Sequence, residues 1–369
     1  MTDDIRLLTY LFERAVAAAD PKLALAPFLP EPPKGRTVVI GAGKGAAQLG
    51  QALEALWPGP LTGLIVTRYG YAAPCAHLDV VEASHPVPDA AGEVAAKRRT
   101  ELVGDLTADD LVIALITGGG SALLPAPPGD LTLADEMALN EALLASGAPI
   151  SVMNAIRAEA SGIKAGRLAA MANPARVVSL IVSDVPGDAP AEVASGPTVP
   201  QDGTPEAALA LADAYRIALP PRIRDWIESG QGASPSPDDP VFADNEVHVI
   251  ASARQSLEAA ADAARAEGLQ AVILSDRIEG EARDIGQMHA AIAREIAERD
   301  APFVRPVLVL SGGDTTVTLT GDGGRGGRNT EFLLSFALDI EGVEGITALA
   351  ADTDGIDGSE DNAGAFATG

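Results

Sequence analysis

Cys75 is the only cysteine in 369 residues, which excludes an intrachain disulfide and any metal cage built on several thiolates. A reducing cytoplasm suits such a chain, so a cytoplasmic protein is expected. Basic residues are also scarce, 26 Lys plus Arg against 52 Asp plus Glu, a formal net charge of -26. That excess repels polyanions, so neither a nucleic acid nor an anionic membrane surface is an expected partner. Of the four histidines, His77, His248 and His289 show no ligand spacing, and no His/Glu/Cys set reads as a zinc site. No apolar run approaches the roughly 20 residues that span a bilayer. The acidic start, Met1-Thr2-Asp3-Asp4, is the reverse of a secretory leader.

With 47% hydrophobic residues, the chain can bury large cores, and its length favours two domains. Thr2 or Asp3 can cap a first helix carrying Leu7, Leu8, Leu11, Phe12 and Val16. Strand-like runs at 37–40, 61–66, 78–82, 111–116 and 177–182 alternate with helical patterns, which argues for a largely parallel sheet covered on both faces. Residues 230–240 have linker composition, Gly-Gln-Gly-Ala-Ser-Pro-Ser-Pro-Asp-Asp-Pro. Beyond them strands are expected at 247–251, 270–274, 307–310, 315–320 and 346–350, with helices at 252–267 and 280–298. The fold class read from this pattern is two α/β domains with largely parallel sheets, 1–235 and 236–369, the first Rossmann-like, and a ligand cleft between them.

Lysine occurs only five times, and Lys44 lies inside the turn Gly41-Ala42-Gly43-Lys44-Gly45-Ala46, between a strand and a helix. That turn satisfies the loose dinucleotide pattern G-x-G-x-x-[GA]. Arg68, at the end of the second strand, suits a 2′-phosphate, so an NADP reading survives while an NAD one weakens. A turn needed only for close strand and helix packing is the simpler alternative. Ile116-Thr117-Gly118-Gly119-Gly120-Ser121 ends another buried-type strand, and its N–H groups and hydroxyls make it a candidate phosphate cradle. It is not a P-loop of the G-x-x-x-x-G-K-[ST] kind.

Asn154, Arg157, Ser161, Lys164 and Arg167 fall at helical spacing, so one helix face is expected to present all five, either to solvent or to a ligand. Ser183-Asp184-Val185-Pro186-Gly187-Asp188 closes a strand with carboxylates where magnesium is often held in phosphoryl transfer. Asp352-Thr353-Asp354-Gly355-Ile356-Asp357-Gly358 repeats that arrangement, and no glutamate completes it as a calcium loop. Residues 321–331, Gly-Asp-Gly-Gly-Arg-Gly-Gly-Arg-Asn-Thr-Glu, place two arginines among five glycines ahead of an apolar helix, so an anion is the natural guest. His85, in Ser84-His85-Pro86-Val87-Pro88-Asp89, is either a substrate contact or a turn-stabilising residue.

In order, these segments resemble the D-glycerate 2-kinase family, also known from the tartrate operon and long labelled hydroxypyruvate reductase. The likeness spans nearly the whole chain and is weakest from about residue 201 to 300. It implies a kinase that uses ATP and Mg²⁺ to phosphorylate the 2-hydroxyl of D-glycerate. Carried over by position, it implies catalytic roles for Lys44, Arg328, Asp184 and Asp188. It implies cofactor contacts at Gly118, Gly119, Gly120, Ser121, Lys164, Gly326, Gly327 and Asn329, and metal contacts at Asp184, Asp354 and Asp357. The departures are Thr117 for serine, Asp314 for glutamate, Thr330 for glutamine and Ala165 for glycine. The resemblance also implies some tens of residues beyond the last motif, so 236–369 is expected to be a truncated domain. The expected partner is the small-molecule substrate, with a homodimer left open. An NADP-dependent hydroxypyruvate reductase and a non-catalytic sugar-acid sensor are the alternatives.

Overall fold

The computed structural model describes residues 3–185, 187–319, 324–359 and 361–369. Two compact units divide the chain, Pro21–Ser252 and a second made of Met1–Asp20 with Ala253–Gly369. The first holds six strands, β1 (Thr37–Ala42), β2 (Thr62–Arg68), β3 (Leu78–Ala83), β4 (Leu111–Thr117), β5 (Arg176–Ser183) and β6 (Glu246–Ser252). Their order is β3-β2-β1-β4-β5-β6, and every neighbouring pair is parallel.

Burial explains the sequence of the central strands. All six residues of β1 and all seven of β4 are buried, so both read as unbroken apolar runs instead of alternating ones. Alternate residues still serve opposite faces. Val39, Ile113, Leu115, Val178 and Leu180 pack with Leu49 and Leu53 of α3 (Ala46–Leu56), in a core that also takes Leu25 of α2 (Pro21–Leu25); α1 (Asp3–Ala17) packs elsewhere. Val38, Ile40, Val112, Ala114, Val177 and Ile181 pack with Ala96 and Val103 of α4 (Ala90–Val103). A separate helical core joins α5 (Leu133–Ser146) and α6 (Ile150–Glu159), through Leu139, Leu143 and Ile156, to Ala212, Ile223 and Ile227. α7 (Arg167–Ala172) lies on the sheet, whereas α8 (Pro205–Ala214) and α9 (Pro221–Glu228) complete the helical core.

Asp110 fastens the start of β4. Its carboxylate accepts from the N–H groups of Arg36 (2.6 Å) and Thr107 (2.8 Å) and from the Arg36 guanidinium (3.3 Å). The Arg36 N–H bond, opposed by burial and helped by Thr107 and the Arg36 guanidinium, pulls this carboxyl down to about 2. A depressed carboxyl stabilises the fold above its unfolded value, and that stabilisation fades as pH falls through the folded value. Asp110→Asn is therefore expected to be less stable than the parent at neutral pH, with the gap closing between about pH 4 and 2. Denaturant midpoints measured across that range check it; a gap that stays constant contradicts it.

The second unit contains α1, α10 (Ala253–Ala266), α11 (Ala282–Arg299) and α12 (Arg328–Ile340). It also has a parallel pair, β7 (Gln270–Glu281) with β8 (Val307–Thr316), and an antiparallel pair, β9 (Thr347–Ala351) with β10 (Gly364–Thr368).

Three features depart from the sequence reading. Residues 230–240 are not the boundary: Ser234 Oγ donates to Glu159 Oε1 at 3.1 Å and Gly232 O accepts from Arg167, so this Pro- and Ser-rich stretch is an anchored loop of the first unit. The chain passes to the second unit only after β6. The first helix belongs to the second unit, because Leu11 packs with Ala264 and Leu308 and the Asp4 carboxylate accepts from Thr347 Oγ1 at 3.2 Å. The strands expected at 307–310 and 315–320 are one strand, since β8 continues past Ser311 while its register against β7 shifts twice; Thr320 lies outside the described residues.

Candidate active site

In the first unit the connection after β3 returns to the far side of β1, so from the paired carboxyl ends of β1 and β4 the chain proceeds in opposite directions along the sheet, to β2 and to β5. Ligands of open α/β sheets bind in the crevice at such a reversal. β1 leads into the Gly41–Ala46 turn and β4 into Thr117–Ser121, the two glycine-rich segments picked out in the sequence.

The two turns differ in what their N–H groups do. In the first, Gly43 N–H donates to Val66 O (3.1 Å), Lys44 N–H to Gly118 O (3.0 Å) and Gly45 N–H to Thr117 Oγ1 (3.1 Å). The amides that a dinucleotide pyrophosphate needs at this turn are thus spent on the second turn and on β2. In the second, no described residue accepts from the N–H groups of Gly119, Gly120 or Ser121. Three successive amides without a protein acceptor form a concavity suited to an anion.

Side chains from three strand ends converge on this second turn. Gly119 has φ 74°, and a Cβ there would lie 3.1 Å from both Lys44 Cε and His85 Nε2. A Cβ on Gly118 would overlap the carboxylate of Asp184, which follows β5. The absence of side chains on these glycines is what admits Lys44, His85 and Asp184. Lys44 and Asp184 are exposed, and His85 is half-buried. Burial, then the charges of Lys44 and Arg68, push the His85 imidazole below its ordinary value. Arg68 itself stacks over the Tyr71 ring at 4.3 Å. Asp188 is half-buried in a tight turn with φ 55°, its N–H on Val185 O at 3.2 Å; Pro186 lies outside the described residues.

Beneath the turn is a buried polar network. Ser121 Oγ meets Ser195 Oγ at 2.9 Å, Ser195 Oγ donates to Asn154 Oδ1 (3.0 Å), and Arg157 donates to Asn154 Oδ1 (3.1 Å) and Asn140 Oδ1 (2.8 Å). The single helix face expected at 154–167 is absent: α6 ends at Glu159, and positive φ at Ala165 and Gly166 separates it from α7. Asn154, Arg157, Ser161 and Lys164 are nevertheless buried, and Arg167 is half-buried. Lys164 is 1% exposed, and its Nζ donates to Glu136 Oε1 at 2.9 Å, so a residue expected at the cofactor is instead half of a buried ion pair. The sequence reading missed Glu136, which carries no motif, and Arg99. Arg99 is buried below the first turn, donates to Gly41 O at 3.2 Å, and is lowered by burial to about 9.

In the second unit, Arg328 opens α12. Its guanidinium donates to Asp352 Oδ2 (2.8 and 3.3 Å) and to Asp314. Burial would lower this group, but the Asp352 hydrogen bond and the charges of Asp314, Asp352 and Asp354 raise it above the ordinary arginine value. The anion at the N-terminus of α12 is supplied by the chain itself. Asp357, fully buried, accepts through Oδ1 from Asn329 N–H (2.9 Å) and Nδ2 (3.1 Å), and through Oδ2 from Thr330 N–H (2.9 Å) and Oγ1 (2.8 Å). Burial works to raise its carboxyl, yet these bonds together hold it below the usual range.

Asp357 is therefore a helix cap where a metal ligand was expected. Gly327 is glycine because a Cβ would overlap that carboxylate, and Asn329 is committed to it. Gly326 exchanges hydrogen bonds with Ser359, N–H to Oγ at 3.2 Å and Ser359 N–H to O at 3.1 Å. Asp354 stays exposed, with Oδ1 on the Ile356 N–H at 2.9 Å. Residues 321–323 of the glycine and arginine loop lie outside the described residues. Among those described, no group of three or more His, Cys, Asp or Glu is arranged to hold a metal ion, and no helix is long and apolar enough to cross a membrane.

A family profile described as a domain of unknown function, DUF4147, matches residues 7–228, and the MOFRL family profile matches 307–369. The chain is 34% identical to a D-glycerate 2-kinase of Thermotoga maritima over 99% of its own length and 86% of the relative's. The chain belongs to the glycerate kinase family. The crystal structure of a glycerate kinase from Thermotoga maritima superposes with a TM-score of 0.87 at 34% identity, covering 98% of this chain and 86% of that one. A protein of Agrobacterium vitis named putative hydroxypyruvate reductase is 49% identical over 98% of this chain and 82% of its own.

Proposed function

We propose that this protein transfers the γ-phosphoryl group of ATP to the 2-hydroxyl of D-glycerate, giving 2-phospho-D-glycerate and ADP. The observation that carries this reading is the turn Gly118–Ser121, with amides open to an anion, flanked by Lys44 and Asp184. Phosphoryl transfer asks a protein chiefly to position the reactants and to balance charge on the transferring group. The amides of Gly119, Gly120 and Ser121 are assigned to phosphate oxygens, and Lys44 to the charge that builds on the γ-phosphoryl. Arg328, braced by Asp314 and Asp352, is assigned to a further anionic group of the reactants, the glycerate carboxylate included.

Magnesium is commonly held by one or two carboxylates together with phosphate oxygens. Asp184, an exposed carboxylate against Gly118, fits that role, and Asp188 and Asp354 have the exposure to assist; Asp357, with both oxygens committed, does not fit. Held there by Asp184, the ion would supply positive charge to offset that of the phosphates.

A reductase reading gains nothing from the first glycine turn, whose amides are internally bonded, nor from Arg68, which lies on Tyr71. The test is purified protein with D-glycerate, ATP and Mg²⁺, following ADP, run beside hydroxypyruvate with NADPH. ADP release that depends on glycerate is expected, with a turnover on the order of 1–100 per second. NADPH oxidation without ADP release would reverse the assignment, and binding without either reaction would favour a sensor.

A further inference from the structure

We propose that His85 is a catalytic residue of this transfer, its Nε2 accepting the proton of the substrate hydroxyl while that oxygen bonds to the γ-phosphorus. The inference rests on the phosphoryl-transfer reading and names the group that reading leaves unassigned. As the new P–O bond forms, the bond from γ-phosphorus to the bridging oxygen breaks and ADP leaves. The proton rests on the imidazole and passes to solvent after product departure.

Geometry is the first support. His85 and Lys44 close over the same atom position above Gly119, each 3.1 Å from where a Cβ would stand. Nε2 therefore faces the turn whose amides are open to phosphate oxygens. The segment that carries it is held firmly, because Asp89 accepts from Gly92 N–H (3.0 Å) and Tyr69 Oη (2.9 Å) at the start of α4. A hydroxyl placed against a phosphoryl group in the turn comes within reach of this nitrogen when the ring carries its hydrogen on Nδ1.

Chemistry is the second. A neutral imidazole adds no negative charge beside the phosphates and does not compete for a hard, oxygen-seeking cation, so Asp184 can serve a metal while His85 handles the proton. The groups facing the ring favour that neutral state: Lys44 from the turn after β1 and Arg68 from the end of β2 both repel a second positive charge, and burial acts in the same sense. The carboxylates around this segment are Glu82, on β3, Asp89, which accepts from the Ser84 backbone, and Asp184, against Gly118; the shift of the ring is set by burial, Lys44 and Arg68, and the balance is on the neutral side. General bases do best with affinities near the working pH, and an imidazole neutral at pH 7 is in the required form without activation.

The experiment compares the full-length parent with His85→Gln and His85→Ala. In the parent, kcat is expected to fall on the acid side through a single ionisation below 6.5. His85→Gln keeps hydrogen-bonding capacity but cannot take the proton, so kcat should drop by about 10²- to 10⁴-fold, with KM for glycerate and ATP within about threefold of the parent. The acid limb should vanish in that variant. Added imidazole should restore turnover to His85→Ala, in proportion to its neutral form. The inference is overturned if kcat of His85→Gln stays within about threefold of the parent, if the acid limb persists, or if imidazole restores nothing to a folded His85→Ala. Should either variant fail to fold, the parent profile alone decides, because a kcat that stays flat as pH is lowered from 7 to the point where the parent itself unfolds removes the base. A parent that forms no ADP with glycerate sinks the kinase reading instead, so the two failures are distinguishable.

Discussion

Lys44→Ala is expected to lower kcat by about 10²-fold or more, the usual loss when a donor aimed at developing charge is removed. The fold should survive, because the side chain is exposed and the contacts that shape its turn are backbone ones: Lys44 N–H on Gly118 O, and Lys44 O accepting from Thr67 Oγ1 at 3.2 Å. Alanine retains both. Lys44→Arg is a sharper probe, since the lysine stem passes 3.1 Å from the Gly119 Cβ position and a planar guanidinium needs more room there than an ammonium. It should restore only a small part of the rate. Steady-state kinetics with thermal unfolding as a control decide the matter; near-parental turnover in Lys44→Ala contradicts the assignment.

Asp357→Ala is expected to destabilise the second unit by about 2–4 kcal/mol, combining a lost helix cap with donors left unpaired in a buried place. That corresponds to a fall of roughly 5–15 °C in its unfolding midpoint. Four hydrogen bonds converge on this carboxylate, and two of them come from the first N–H groups of α12, where helix dipole and unpaired amides favour a negative charge. Asp357→Asn keeps the shape and loses the charge, so an intermediate loss is expected. The measurement is calorimetry without added metal. A metal ligand would leave metal-free stability almost unchanged and alter magnesium dependence instead, and that pattern would refute the cap.

What the sequence reveals and conceals here follows from how local each signal is. The central strands are plain because strands buried on both faces must be apolar throughout, and a glycine turn after such a run marks a close approach wherever it occurs. Lys44, the triple glycine and Asp184 could be located on that basis, and the structure brings the three segments to one end of the sheet. The helical spacing of 154–167 misled because side chains three and four apart can persist in register across a break. The break itself is made by the backbone at Ala165 and Gly166. Pairings distant in the chain leave no local trace: Leu11 against Leu308, and Lys164 against Glu136, are settled only by packing. An acidic loop reads the same whether its carboxylates face a metal or a helix end, which is why Asp357 was expected as a ligand. Asp110 and Arg99 carry no motif, yet one ties the start of the sheet and the other lies beneath the Lys44 turn.

The position of phosphate on the product is the most direct test of the central claim. Purified protein is incubated with D-glycerate, ATP and Mg²⁺, and the product is passed to enolase, which dehydrates 2-phosphoglycerate and leaves the 3-isomer untouched. Phosphoenolpyruvate formed in step with ADP, one for one, is the predicted result. ADP formed with no phosphoenolpyruvate would place the phosphoryl group on another oxygen, and no ADP at all would contradict phosphoryl transfer to glycerate.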